Sequence, residues 1–364
     1  MAVACLLCLR LSVPAQSPDS LRARTVLGLR GHAGSLLIHS AALANLRRTY
    51  PWGVEADLAR QFIDQKAWAF CNCYPRAGGA LTYWNYGSRI LGHGLTAVAY
   101  VEPTFLTQHR LNLSIRMGGG LAYSSHPFDS VTNPFNSAYS LRINFPLMVG
   151  VGLQYRVSPH WGLRLAANFN HVSNGGLSLP NKGLNYPTLS LGADYAPQPI
   201  DFQERAKLHD RRPPDPRLRL YAGALGTLKR ADGRDTRQQG VWGAWVHGVY
   251  YLGRWSGLNV GAEWIDDGAR RLKMDREGIP GRSERGAVLV GHQFLLGRVV
   301  FSQQLGIYVF DQFKLNDPVY QRFGLGVHVT KRLLAGISLK THRHVADLLE
   351  LRVGYGIWRK AESR

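Results

Sequence analysis

Leu141-Arg142-Ile143-Asn144-Phe145-Pro146-Leu147-Met148-Val149-Gly150-Val151-Gly152-Leu153-Gln154-Tyr155-Arg156-Val157 alternates strictly in character along its length. Leu141, Ile143, Phe145, Leu147, Val149, Val151, Leu153, Tyr155 and Val157 form one row, and Arg142, Asn144, Gly150, Gly152, Gln154 and Arg156 fall on the other. Successive side chains of a strand point to opposite faces, so this is a strand with one apolar face. At roughly 17 residues it exceeds the usual 3–10 of strands in globular proteins. A strand tilted across a bilayer has the room for it.

The same alternation recurs outward in both directions. Leu111, Leu113, Ile115 and Met117 show it upstream; Leu258 to Trp264, Phe323 to Val329 and Leu349 to Ile357 show it downstream. About 16 candidate strands result. Connections after even-numbered strands are often tight (Val157 to His160, Gly297-Arg298, Thr330 to Arg332), and those after odd-numbered strands are often long and polar (Ser124 to Ser137, Asn174 to Pro187, Asp266 to Gly286). Short turns on one side and long loops on the other mark an outer-membrane barrel. Two connections depart from the rule, Asp64 to Pro75 and the charged, proline-rich Pro197 to Pro216. The second reads either as a linker between domains or as a long periplasmic connection, and the immediate return of alternation favours the connection. The expected fold is an all-β, transmembrane, antiparallel outer-membrane β-barrel of about 12–16 strands. It covers residues 18–364, with residues 217–358 supplying additional strands.

Composition narrows the class further. No run of about 18 uncharged apolar residues is present, so a transmembrane helix is not expected. The net charge of +20 raises nucleic acid as a partner. Zinc-finger spacing, a basic helix and RNA-binding aromatic motifs are all missing, so an anionic membrane is expected and nucleic acid is not. Arg116, Arg142, Arg156, Arg164, Arg219, Arg322 and Arg352 fall on polar rows and are expected to face the lumen, opposite Glu55, Asp57, Asp194, Glu263 and Glu350. Residues 1–17, with an apolar run from Ala2 to Leu9 and then Val13-Pro14-Ala15-Gln16-Ser17, read as a signal peptide. Cys5 and Cys8 would leave with it; Cys71 and Cys73 remain as a loop pair. His342 and His344 read as a solvated loop, with no metal site and no cofactor expected.

One strand carries chemistry. Trp161, Leu163, Leu165, Ala167 and Phe169 form its apolar row, and His171 and Ser173 continue that row into a loop rich in Gly, Pro and Asn. A histidine beside a serine is the minimum for an activated hydroxyl nucleophile. On the lipid-facing row an ionisable group is costly and usually functional.

Asn170-His171-x-Ser173-Asn174-Gly175-Gly176, followed by Pro180-Asn181-x-Gly183-x-Asn185, resembles the lipid A 3-O-deacylases of the PagL family, and in particular the longer acyloxyacyl hydrolase relatives found in Bacteroidetes. Val101-Glu102-Pro103, Gly118 to Tyr123, Thr132-Asn133-Pro134 and Ser158 to Leu163 support the likeness, which spans roughly residues 25–195. The resemblance implies an eight-stranded barrel in the bacterial outer membrane, so the second half is either extra strands or a second domain. It also implies serine hydrolysis of an ester on lipid A, the lipid portion of lipopolysaccharide. Carried over, Ser173 is the nucleophile, His171 its base, and Asn174 with the N–H near Gly176 the oxyanion donors. The family's third member is a glutamate fourteen residues after the histidine; here that position is Asn185, expected to orient His171, with Glu102 or Asp129 as substitute acids. The alternative class is a non-catalytic barrel, an anion-selective channel or structural protein, which bilayer conductance would separate from an esterase. The sequence says nothing about oligomeric state.

Overall fold

The computed structural model describes residues 23–206, 213–232, 235, 237–312, 317–343 and 345–358. The expected signal peptide and His344 lie outside the described residues. Among the described residues sixteen antiparallel strands are present, and they close as two barrels of eight. The first runs β1 (Ala23–Gly34), β2 (Trp52–Phe62), β3 (Tyr74–Ser88), β4 (Gly92–Phe105), β5 (Leu111–Ser124), β6 (Ile143–Arg156), β7 (Trp161–Ser173) and β8 (Leu184–Tyr195). The second runs β9 (Leu218–Lys229), β10 (Gln239–Tyr251), β11 (Ser256–Asp267), β12 (Arg285–Leu296), β13 (Val299–Asp311), β14 (Val319–His328), β15 (Leu333–His342) and β16 (Val345–Ile357). Neighbours pair in chain order, β8 returns to β1, and β16 returns to β9.

The expected strand number and antiparallel barrel class are present; the single closure is not. The Pro197 to Pro216 connection is the link between the barrels, not a loop within one. Part of it packs on the first barrel: Phe202 stacks on Tyr74 at 5.1 Å between ring centroids, and Tyr74 Oη donates to the Gln203 carbonyl at 2.8 Å. The other long connection, Asp64 to Pro75, holds a short helix, α1 (Gln65–Cys71), capped by Asp64 and followed by a Cys71–Cys73 disulfide. A second helix, α2 (Gly268–Arg276), capped by Asp267, fills the loop between β11 and β12.

Alternation sorts the side chains as a bilayer requires. On β6, Leu147, Val149, Val151, Leu153 and Tyr155 are exposed, while Asn144, Met148 and Gln154 are buried inside. Aromatic residues bracket this apolar band. Trp52 and Tyr83 sit at one end, and Trp161 and Tyr195 at the other. These are the two girdles of a membrane barrel. Among the described residues, no helix is long and apolar enough to cross a membrane.

The interior of the first barrel is an ion-pair lattice. Arg30 meets Glu55 and Asp194 at 2.7 Å each, and Arg76 meets Asp194 at 2.7 Å. Arg116 meets Glu55 and Asp57 at 2.7 Å and Glu102 at 3.2 Å; Arg164 also pairs with Glu102. Four guanidiniums balance four carboxylates, so the chain's basic excess is carried elsewhere. An eight-stranded barrel is just wide enough for side chains to fill, and these fill it. In the second barrel Arg322 pairs with Glu263 and Glu350. Three arginines depart from the expected lumenal pairing. Arg142 and Arg156 bond loop carbonyls, and Arg219 bonds the Asp215 carbonyl and lies over Tyr251 and Trp358.

Candidate active site

The hairpin of β7 and β8 assembles the site. Its register pairs His171 directly with Asn185. Directly opposed residues on one sheet face have Cβ atoms about 4.5–5.5 Å apart, so a fourteen-residue separation becomes side-chain contact. Ser173, two residues along β7 from His171, lies on the same face. His171 and Ser173 continue the outward row of β7 that begins with the exposed Trp161, Leu163 and Leu165, and Asn185 faces the same way on β8. Loop residues cover its end, leaving His171 half-buried and Ser173 buried.

His171 Nδ1 lies 2.6 Å from Asn185 Oδ1, and His171 Nε2 lies 2.9 Å from Ser173 Oγ. An amide oxygen can only accept, so the ring proton sits on Nδ1. Nε2 is then bare and accepts from the serine hydroxyl. This is the arrangement in which a histidine can take the serine's proton.

The two substitute acids do not reach this ring. Glu102 is turned into the lumen, bound to Arg116 and Arg164. Asp129, in the loop between β5 and β6, accepts from the N–H groups of Thr132 and Val131, which hold its carboxyl below the usual aspartate range. His171 Nδ1 faces Asn185.

The loop after Ser173 gives the expected oxyanion donors partners of their own. Asn174 Nδ2 donates to Ser178 O at 2.8 Å and to Ser140 Oγ at 3.2 Å, and the Gly176 N–H donates to Asn174 Oδ1 at 3.1 Å. Those donors are engaged in holding the loop's shape. A different amide stands free. Asn181 Oδ1 accepts from the Asn174 N–H at 2.9 Å, next in chain to the serine, while Asn181 Nδ2 is buried with no hydrogen-bond partner among the described residues. Asn181 lay within the quoted motif, but only the folded loop distinguishes its amide from that of Asn174. Gly183 closes the loop with φ +74°, and a Cβ there would sit 2.7 Å from His171 Cε1. A second residue had no local signal at all. His39, between β1 and β2, places Nδ1 3.1 Å from Asn185 Nδ2.

The second barrel touches this loop. The Arg230 N–H reaches Leu177 O, and Gly176 (φ +82°) rests on the Asp347 backbone. On this same rim His342, expected in a solvated loop, instead ends β15, packs against Tyr308 and Tyr320 and lies 3.8 Å from Asp347.

Residues 53–194 match the family described as lipid A 3-O-deacylase (PagL), and residues 218–360 match the acyloxyacyl hydrolase C-terminal domain. No curated protein matches the chain. Among solved structures, the outer membrane enzyme PagL is 16% identical, covering 45% of this chain and 97% of its own with a TM-score of 0.34. Neisserial surface protein A is 15% identical, covering 47% and 95% with a TM-score of 0.31. The two family matches fall on the two barrels and together span more than three quarters of the chain. The chain therefore belongs to the lipid A 3-O-deacylase (PagL) family of bacterial outer-membrane hydrolases, in a form whose second barrel is the acyloxyacyl hydrolase C-terminal domain.

Proposed function

We propose that this protein is a serine esterase that removes an acyl chain from lipid A through Ser173 and His171. The observation that carries the reading is the hydrogen-bonded line Ser173–His171–Asn185 on the outward face of the β7–β8 hairpin. A lumenal dyad would meet only filled interior, whereas this one borders the acyl chains. Leu147, opposite His171 on β6, and Leu37, whose N–H bonds the Asn185 carbonyl, are exposed beside it. They offer an apolar wall for the chain being cut.

In the reaction Ser173 Oγ attacks the ester carbonyl carbon as its proton passes to His171 Nε2. The carbonyl oxygen becomes an oxyanion, which Asn181 Nδ2 is free to bind. The bond to the sugar oxygen then breaks, and His171 returns the proton to that oxygen. Water attacks the acyl-enzyme with His171 again as base, releasing a fatty acid and restoring Ser173. Asn185 holds the imidazole in the required tautomer. As a neutral group it adds no charge to stabilise the imidazolium, so the rate falls short of a carboxylate triad.

Mass spectrometry of lipid A tests this, using cells that carry the wild type or Ser173→Ala, both verified as folded in the outer membrane. The wild type yields lipid A lacking one acyl chain, and the variant does not. Identical lipid A in both would end the proposal.

A further inference from the structure

We infer that His39 is a positioning residue of this site, locking the Asn185 amide in the orientation that keeps His171 a base. This rests on the Ser173–His171 reading above and adds a partner to it.

The assignment follows from donors and acceptors alone. His39 Nε2 lies 2.9 Å from the Lys182 carbonyl, which can only accept, so Nε2 carries a proton. In the neutral ring Nδ1 is then bare. The donor beside it is Asn185 Nδ2 at 3.1 Å. The Leu37 carbonyl, 3.3 Å from Nδ1, is another acceptor. The opposite tautomer would serve Leu37 but set two acceptors, Nε2 and Lys182 O, against each other at the shorter distance. It would also point the Nδ1 proton at the Asn185 amide donor. The first tautomer satisfies more groups.

With Nδ2 held by His39, Asn185 Oδ1 must face His171. The two ends of an asparagine amide have nearly the same shape, so packing alone does not choose between them. If the amide turned over, Nδ2 would face His171 Nδ1, which would have to give up its proton. The ring proton would move to Nε2 and point at Ser173, and the serine would have no base. A glutamate needs no such lock, because both its oxygens accept. A neutral residue at position 185 needs a second partner, and the chain brings one from 146 residues away.

Full-length enzyme reconstituted in lipopolysaccharide-containing vesicles provides the test. Deacylation by His39→Ala is expected to fall on the order of tenfold in kcat, the worth of one hydrogen bond, with KM within about twofold. His39→Asn, whose side-chain oxygen can accept where Nδ1 did, is expected to recover most of the rate. Asn185→Asp removes the need for the lock, so His39→Ala/Asn185→Asp should match Asn185→Asp alone. An unchanged kcat in both His39 variants overturns the inference. So does a His39→Ala loss that persists undiminished beside Asp at position 185, since that marks a merely structural role. Ser173→Ala keeps the readings apart: a fully active Ser173→Ala defeats the esterase reading, whereas an inactive Ser173→Ala with His39 irrelevant defeats only this one.

Discussion

Asn181 Nδ2 is a donor shut away from water with no acceptor among the described residues. Leaving such a group unsatisfied costs about 1–3 kcal/mol, and in the proposed reaction the oxyanion supplies its acceptor. Removing one oxyanion donor typically lowers kcat by about 100- to 1,000-fold. Asn181→Ala is therefore expected to lose kcat on that scale with little change in KM, read from initial rates of fatty-acid release. Asn174→Ala should behave differently. It removes the bonds to Ser178, Ser140 and Gly176 and so loosens the loop, lowering thermal stability along with activity. His171 and Ser173 were legible because a two-residue spacing on a strand is a geometric statement. Which of Asn174 and Asn181 keeps an unpartnered amide was not, because two asparagines in one loop differ only in which partners the folded loop supplies.

The hairpin of β7 and β8 converts sequence spacing into a site. Its register sets His171 against Asn185, and its loop must turn back without striking the imidazole. Gly183 makes that turn at φ +74°, where a side chain is strained and where a Cβ would meet His171 Cε1. Gly183→Ala is expected to displace the ring and to lower deacylation on the order of 100-fold, the scale of a misplacement of about 1 Å. The barrel should keep its heat-modified gel mobility, because the strands are untouched. Alternation made the strands readable across both halves of the chain. Neither α1 nor α2 could be read the same way, since each is too short for a helical period to stand out. Each begins instead at an aspartate cap, Asp64 and Asp267, that looks like any loop aspartate before folding.

The two barrels differ in what they do for the site. The first is braced by its lumenal lattice, in which Glu102 takes both Arg116 and Arg164. Breaking a buried pair by removing one partner leaves an uncompensated charge and costs about 3–5 kcal/mol. Glu102→Gln should destabilise the protein by that amount in denaturant unfolding from vesicles, while the residual folded enzyme keeps its kcat. A Glu102→Gln protein of full stability but no activity would place Glu102 in the chemistry after all. The second barrel leans on the active-site loop through Arg230 and the Asp347 backbone, so it supports from outside a loop that the first barrel only anchors at its ends.

The sequence by itself determined the strands, the lipid-facing rows and the His171–Ser173 pair, because all three follow from a period of two along the chain. Tertiary structure alone decided that sixteen strands close as two barrels. Alternation specifies which face a residue takes, not which distant strand its edge will meet, and the pairings of β8 with β1 and β16 with β9 are long-range choices of the backbone. The same reason hid His39. Its meeting with Asn185 depends on where barrel closure brings the β1–β2 connection, and on which nitrogen the Lys182 carbonyl obliges to keep its proton.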